Sequence, residues 1–179
     1  VRNTMPLLAF DALPVPLVRD RLTGDALAAT LETCDDPSVV CAVVANAGST
    51  NAGLVDDLDG VGRVCDTRGL WMHVDAAYGG GALLGKSTLP AFTGIERSDS
   101  LVVDPHKWLY APLDCAALLY RDPDLARSVH GQHAAYLDSV NDERDAWNPG
   151  DYAYQLSRRA RGLPFWFSLA VYGTDAYRA

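Results

Sequence analysis

The stretch LWMHVDAAYGGG, Leu70 to Gly81, decides the fold. Its first six residues are a short, largely apolar run that closes on one carboxylate, Asp75, before small residues and a glycine triplet. An apolar run of that length is what a strand buried on both faces looks like. Three other runs read the same way. Val39 to Ala45 (VVCAVVA) is rich in β-branched residues and ends in Asn46-Ala47-Gly48; Ser100 to Asp104 (SLVVD) ends in Pro105-His106-Lys107-Trp108. Cys115 to Tyr120 (CAALLY) is closed by Arg121-Asp122-Pro123. Amphipathic segments alternate with these runs. Leu22 to Thr33 places Leu22, Ala26, Leu27 and Leu31 at helical spacing, with Thr23 or Asp25 as cap. Asp56 to Arg68 reads as a helix with Leu58, Val61 and Cys65 inward. Leu156 to Ala179 is helical in pattern, and Pro164 breaks or starts a helix there. The alternation predicts an α/β domain: a mostly parallel sheet flanked by helices on both faces.

Composition sets bounds on what such a domain can be. In 179 residues, 49% hydrophobic and 21% charged, there is material for one sizeable core, which argues against disorder and coiled coils. Fifteen Lys+Arg against 23 Asp+Glu give a net charge of −8, so no nucleic-acid or anionic-membrane partner is expected. No run reaches the roughly 18 apolar residues of a membrane span, and no secretory signal opens the chain, so a cytoplasmic protein is expected. The cysteines Cys34, Cys41, Cys65 and Cys115 contain no C-x-x-C pair, which excludes a zinc knuckle and a thioredoxin motif; buried, reduced thiols are expected. His130 and His133 form an H-x-x-H pair without a third ligand, so no metal site is expected. Val129 to Asp151 turns polar and aperiodic, the pattern of a long mobile loop.

In open α/β sheets, ligands sit at the carboxyl ends of the strands. Three of the four runs end in polar residues: Asn46 to Thr50, Asp75, and Asp104 to Lys107. Asp75 on its own either caps the following turn or neutralises a cation. Lys107 on its own is either a surface residue or a lysine set up for imine chemistry. The two together are the fixed requirements of a pyridoxal-phosphate site, a lysine that forms a Schiff base and an acid that pairs with the pyridinium nitrogen. Ala77, small and two residues after the acid, leaves room for a flat ring.

HVDAAYGG (His73 to Gly80) and DPHKWLYAPLDCAALLYRDP (Asp104 to Pro123) resemble the group II pyridoxal-phosphate-dependent decarboxylases, whose best-known members act on aromatic L-amino acids. Asn46 to Gly53, followed by Asp56-Asp57-Leu58, is similar to that family's Gly-Thr-Thr strand end, and Ser157 to Gly173 to the helix after its catalytic loop. The resemblance implies part of a fold type I, aspartate-aminotransferase-like large domain over residues 1–179, with 128–150 as the mobile catalytic loop. Both ends look cut, so the N-terminal part of that domain and a small C-terminal domain are expected to be absent. It implies that Lys107 holds pyridoxal 5'-phosphate as a Schiff base, Asp75 binds its ring nitrogen and Ala77 packs on one ring face. Thr50 would lie near the cofactor and the substrate carboxylate, and His106 would contact the phosphate or the substrate. Tyr136 matches the loop tyrosine that reprotonates the substrate carbon. Asp104, a further cofactor-binding candidate, stands where some relatives have Asn and so would lack that residue's neutral contact to the phosphate. The implied reaction is α-decarboxylation of an L-amino acid, aromatic by preference, in a homodimer. The alternatives are an aldehyde-forming decarboxylase, another lyase or aminotransferase, or a non-catalytic fragment.

Overall fold

Four strands form one sheet in the order β1-β2-β3-β4: β1 (Ala42–Asn46), β2 (Trp71–Asp75), β3 (Ser100–Val103) and β4 (Ala117–Tyr120). The computed structural model describes residues 5–131, 148–153, 155 and 157–178. β1, β2 and β3 run parallel and β4 antiparallel. The carboxyl ends of the first three strands therefore meet at one edge, where β4 begins. This is the mostly parallel sheet that the alternation of apolar runs predicts.

Helix α1 (Gly24–Glu32) starts where the sequence says it should: Thr23 is the N-cap, its Oγ1 accepting the Ala26 N–H at 3.2 Å. Helix α2 (Leu58–Arg68) is capped by Asp57, which accepts from the Gly60 N–H at 3.0 Å. It stops at Gly69, whose φ of +67° suits glycine. Asp57 also accepts the Gly24 N–H at 3.2 Å, tying the start of one helix to the other.

Both helices pack on one sheet face. Register places Val43 beside Met72 and Ala45 beside Val74. These four join Leu27, Leu31, Leu58, Val61 and Cys65 in the buried core. Burying each of the larger side chains is worth about 1.5–3 kcal/mol, so this layer is the principal stabilising contact. The opposite face carries Val44, His73, Ser100 and Tyr120 in one row and Asn46, Asp75, Val102 and Leu118 in the next. It is covered differently from expectation. Along β2, Met72 and Val74 are buried but Trp71, His73 and Asp75 only half so, so apolar runs long enough for two-sided burial find full cover on one side.

Helix α3 (Pro123–His130) was not foreseen, although its signal is in the sequence. Asp122 is the N-cap, accepting the Asp124 N–H at 3.0 Å, and Pro123 takes the first helical position. The stretch 128–150 expected to be loop thus opens in the last turn of α3, and Pro149–Tyr152 form a 3-10 turn. Residues 132–147, with Tyr136 and His133, lie outside the described residues. Helix α4 (Gly162–Arg178) starts later than expected, with Pro164 in its first turn, and kinks at Gly173. All four cysteines are free, but only Cys65 and Cys115 are buried; Cys34 is half-buried and Cys41 exposed, which corrects the expectation of four buried thiols. Burial pushes the Cys65 thiol up to about 11, with Asp99 and Asp66 adding to it. Among the described residues, no helix is long and apolar enough to cross a membrane, and no three His, Cys, Asp or Glu gather as a metal site.

Candidate active site

The three parallel strands do not simply end near one another; backbone hydrogen bonds continue past them and fasten the ends together. The Ala47 N–H donates to the Asp75 carbonyl at 2.8 Å, the Ala76 N–H to Val102 at 3.0 Å, and the Asp104 N–H to Ala77 at 3.1 Å. Asp75, Ala77 and Asp104 are therefore held in one ladder. Behind them, Gly79 packs against the β1 end so closely that a Cβ there would stand 2.1 Å from the Ala47 carbonyl oxygen and 2.7 Å from the Gly48 Cα. The first glycine of the triplet is thus a requirement of close backbone approach.

Asp75 caps its own turn, as one of its two sequence readings has it: Oδ1 accepts the Ala77 N–H at 3.1 Å. No hydrogen bond from the described residues reaches Oδ2, so the second reading keeps an acceptor. His73, two residues earlier on the same face, is held below its usual titration range by burial, which outweighs the opposing influence of Asp75. The Trp71 indole N–H donates to Ser100 Oγ at 2.8 Å, and His73 Nδ1 lies 2.8 Å from the same oxygen. Indole can only donate, so the serine oxygen accepts from Trp71 while sharing a hydrogen bond with His73 Nδ1.

After β3 the chain folds into a tight turn over Asp104 to Ala111. The Lys107 N–H donates to Asp104 at 2.9 Å and the Ala111 N–H to buried Pro105 at 3.0 Å. The turn presents the Lys107 amine at the sheet edge, with Nζ 2.7 Å from Asp104 Oδ2. Trp108 stacks on Tyr78, ring centroids 5.7 Å apart and planes at 20°, which clips the lysine turn to the segment after β2. His106 is anchored by the start of the antiparallel strand: its Nδ1 lies 2.6 Å from the Cys115 carbonyl oxygen and 3.1 Å from the Cys115 nitrogen. That leaves Nε2, 4.0 Å from Asp104 Oδ2, as the ring's outward atom. Nothing in the sequence announces this anchor, because it uses only the backbone of Cys115. Thr50 is exposed at the tip of a loop closed by the Gly48 and Ser49 N–H groups donating to Leu54 at 3.0 and 2.9 Å.

Of the residues singled out by sequence, the fold thus brings Asp75, Ala77, Asp104, His106 and Lys107 to one edge and places Thr50 on the loop that extends from the same edge. Tyr136 lies outside the described residues. A carboxylate oxygen for a protonated ring nitrogen, an amine for an aldehyde and a small side chain between them are a donor set that fits a pyridoxal cofactor.

The family model described as the pyridoxal-dependent decarboxylase conserved domain matches residues 9–179. The chain belongs to the pyridoxal-dependent decarboxylase family. It is 38% identical over 137 residues to an aromatic-L-amino-acid decarboxylase of Bacillus atrophaeus, covering 76% of this chain and 28% of that protein. It is 41% identical over 138 residues to a cysteine sulfinic acid decarboxylase of Mus musculus, with 76% and 28% covered. The chain thus spans little more than a quarter of the length of these relatives. A crystal structure of Oryza sativa TDC with PLP and tryptamine superposes with a TM-score of 0.89 at 29% identity, covering 98% of this chain and 38% of that one. These likenesses bear out the expected decarboxylase family and a partial fold of its large-domain type. Pyridoxal, the cofactor class expected from Asp75 and Lys107, is the one this decarboxylase family depends on.

Proposed function

We propose that this chain is a segment of the cofactor-binding large domain of an enzyme that removes the α-carboxylate of an aromatic L-amino acid as carbon dioxide and leaves the amine. The observation that supports this most strongly is the ladder that fastens Asp75 and the Asp104–Lys107 turn to adjacent ends of parallel strands. When bound, pyridoxal phosphate supplies an aldehyde for an amine and a ring that accepts the electron pair released at the substrate's α-carbon. Asp75 would hold the proton on the ring nitrogen, with Oδ1 engaged in its own turn. Lys107 would hold the cofactor's aldehyde through its amine. Ala77 bears on one ring face. Asp104 and His106 would contact the cofactor phosphate or the substrate, and Thr50 would lie near the substrate carboxylate. Tyr136 delivers the proton to the α-carbon. Two copies of the whole protein pair, with sites at their interface.

The aromatic choice rests on the names of the Bacillus relative and of the rice structure with tryptamine. The cysteine sulfinic acid relative makes an acidic substrate the competing outcome. Carbon dioxide release from L-tryptophan, L-tyrosine, L-cysteine sulfinate and L-glutamate, with pyridoxal phosphate present, separates them. Release from the aromatic pair, lost in Lys107→Ala, is expected. Release from the acidic pair alone would overturn the substrate assignment, and release that survives Lys107→Ala would overturn the mechanism.

A further inference from the structure

The geometry around Asp104 says what its carboxylate does. Its Oδ2 lies 2.7 Å from Lys107 Nζ, and the acid side chain is only 14% exposed against 39% for the lysine. The acid is fixed from both sides of its own peptide: its N–H is held by the Ala77 carbonyl, and its carbonyl by the Lys107 N–H. The other titratable groups around it are His106, whose Nε2 is 4.0 Å from the same oxygen, Asp75 at the end of β2, and the Cys115 thiol, raised first by burial and then by the Asp104 charge. From the β4 side the turn meets the backbone of Cys115.

An amine attacks an aldehyde through its nitrogen lone pair, and an ammonium bound in an ion pair has none to offer. We infer that Asp104 is a positioning residue that tethers the Lys107 side chain at the sheet edge through this ion pair until an aldehyde ligand draws the nitrogen away. This rests on the assignment of Lys107 as the cofactor lysine and adds what governs when its amine is available. For the bond to form, the ion pair opens and the ammonium gives one proton to solvent. The freed lone pair adds to the aldehyde carbon, and water leaves as the carbon–nitrogen double bond closes.

The chain contains one other lysine, Lys86, which is exposed and serves as an internal reference. Formaldehyde with dimethylamine–borane is an uncharged probe, so repulsion between Asp104 and an anionic reagent does not enter. Peptide mapping of methylated lysine gives the Lys107-to-Lys86 rate ratio. Asp104→Asn is expected to raise that ratio about 1.4- to five-fold, the span that the strength of a partly exposed ion pair allows. In the wild type the ratio is expected to climb with salt toward the variant's value, because ions screen the pair, whereas the variant's ratio stays flat. Equal ratios in the two proteins, or the same salt slope in both, would overturn the inference. Should the variant fail to fold by circular dichroism, a salt-independent ratio in the wild type overturns it and a rising one supports it. The cofactor assignment fails separately, by reductive trapping of pyridoxal phosphate on Lys86 in place of Lys107.

Discussion

Gly79→Ala adds one methyl group at the point where the ends of β1 and β2 touch. The new Cβ would lie 2.1 Å from the Ala47 carbonyl oxygen and 2.7 Å from the Gly48 Cα, both main-chain atoms that no rotamer change can move. Restoring an ordinary contact of about 3.5 Å needs the two segments to part by more than an ångström. A displacement of that size breaks the 2.8 Å bond from the Ala47 N–H to the Asp75 carbonyl, the first rung of the site's ladder. Overpacking costs about 1–3 kcal/mol and the lost hydrogen bond about 1 kcal/mol, offset by roughly 0.5 kcal/mol from the stiffer unfolded chain. The expected loss is about 2–3 kcal/mol. Gly69→Ala is the matched control: it also replaces glycine by alanine, but Gly69 has open space around it and a φ of +67°, so only backbone strain of about 1 kcal/mol is at stake. Urea denaturation followed by tryptophan fluorescence compares them. If Gly79→Ala proved no more destabilising than Gly69→Ala, the close packing of the strand ends would be refuted.

Asp56 is half-buried and accepts the Leu22 N–H at 2.8 Å on one oxygen and the Asn46 N–H at 2.7 Å on the other. Asp56→Asn turns one acceptor into a donor facing a donor, and a loss of about 1–3 kcal/mol in the same denaturation assay is expected. Burial raises the Asp56 carboxyl above its usual range, so its ionisation weakens the fold as pH rises through that raised value. His73 acts in the opposite sense. Burial depresses it below 6.5, so the unfolded chain binds its proton more readily and stability falls as pH drops below about 6.5. Denaturation midpoints are expected to fall between pH 6.5 and 5 in the wild type, with a shallower fall in His73→Gln. The Arg-paired carboxylates Asp59 and Asp114, held below their usual value, enter only at lower pH.

Local chemistry explains how much was legible in sequence. The cap Thr23, the inward triad Leu58, Val61 and Cys65, and all four strands lie in short-range patterns that the fold leaves intact. The grouping of Asp75 with Lys107 could also be read, because parallel strands must bring their carboxyl ends to one edge. What could not be read is long-range. Nothing near Lys107 in sequence shows that Trp108 stacks on Tyr78, or that Cys115 holds His106 through backbone atoms. Helix α3 was hidden differently: Asp122-Pro123 serves equally as a strand terminator and as a helix start, and α3 has only Ala126 buried to mark an inward face. The one-sided burial of β2 was also beyond local reading, since an apolar run says what a strand tolerates and not what covers it.

The central claim is that one sheet edge presents an amine and an acid to the same pyridoxal ring. The most direct test is to incubate the chain with pyridoxal phosphate, reduce with borohydride and locate the pyridoxyl group by peptide mass. The expected result is a single adduct on Lys107, absent from Lys86 and much reduced in Asp75→Ala. Equal labelling of the two lysines, or labelling of Lys107 that ignores the loss of Asp75, would contradict it.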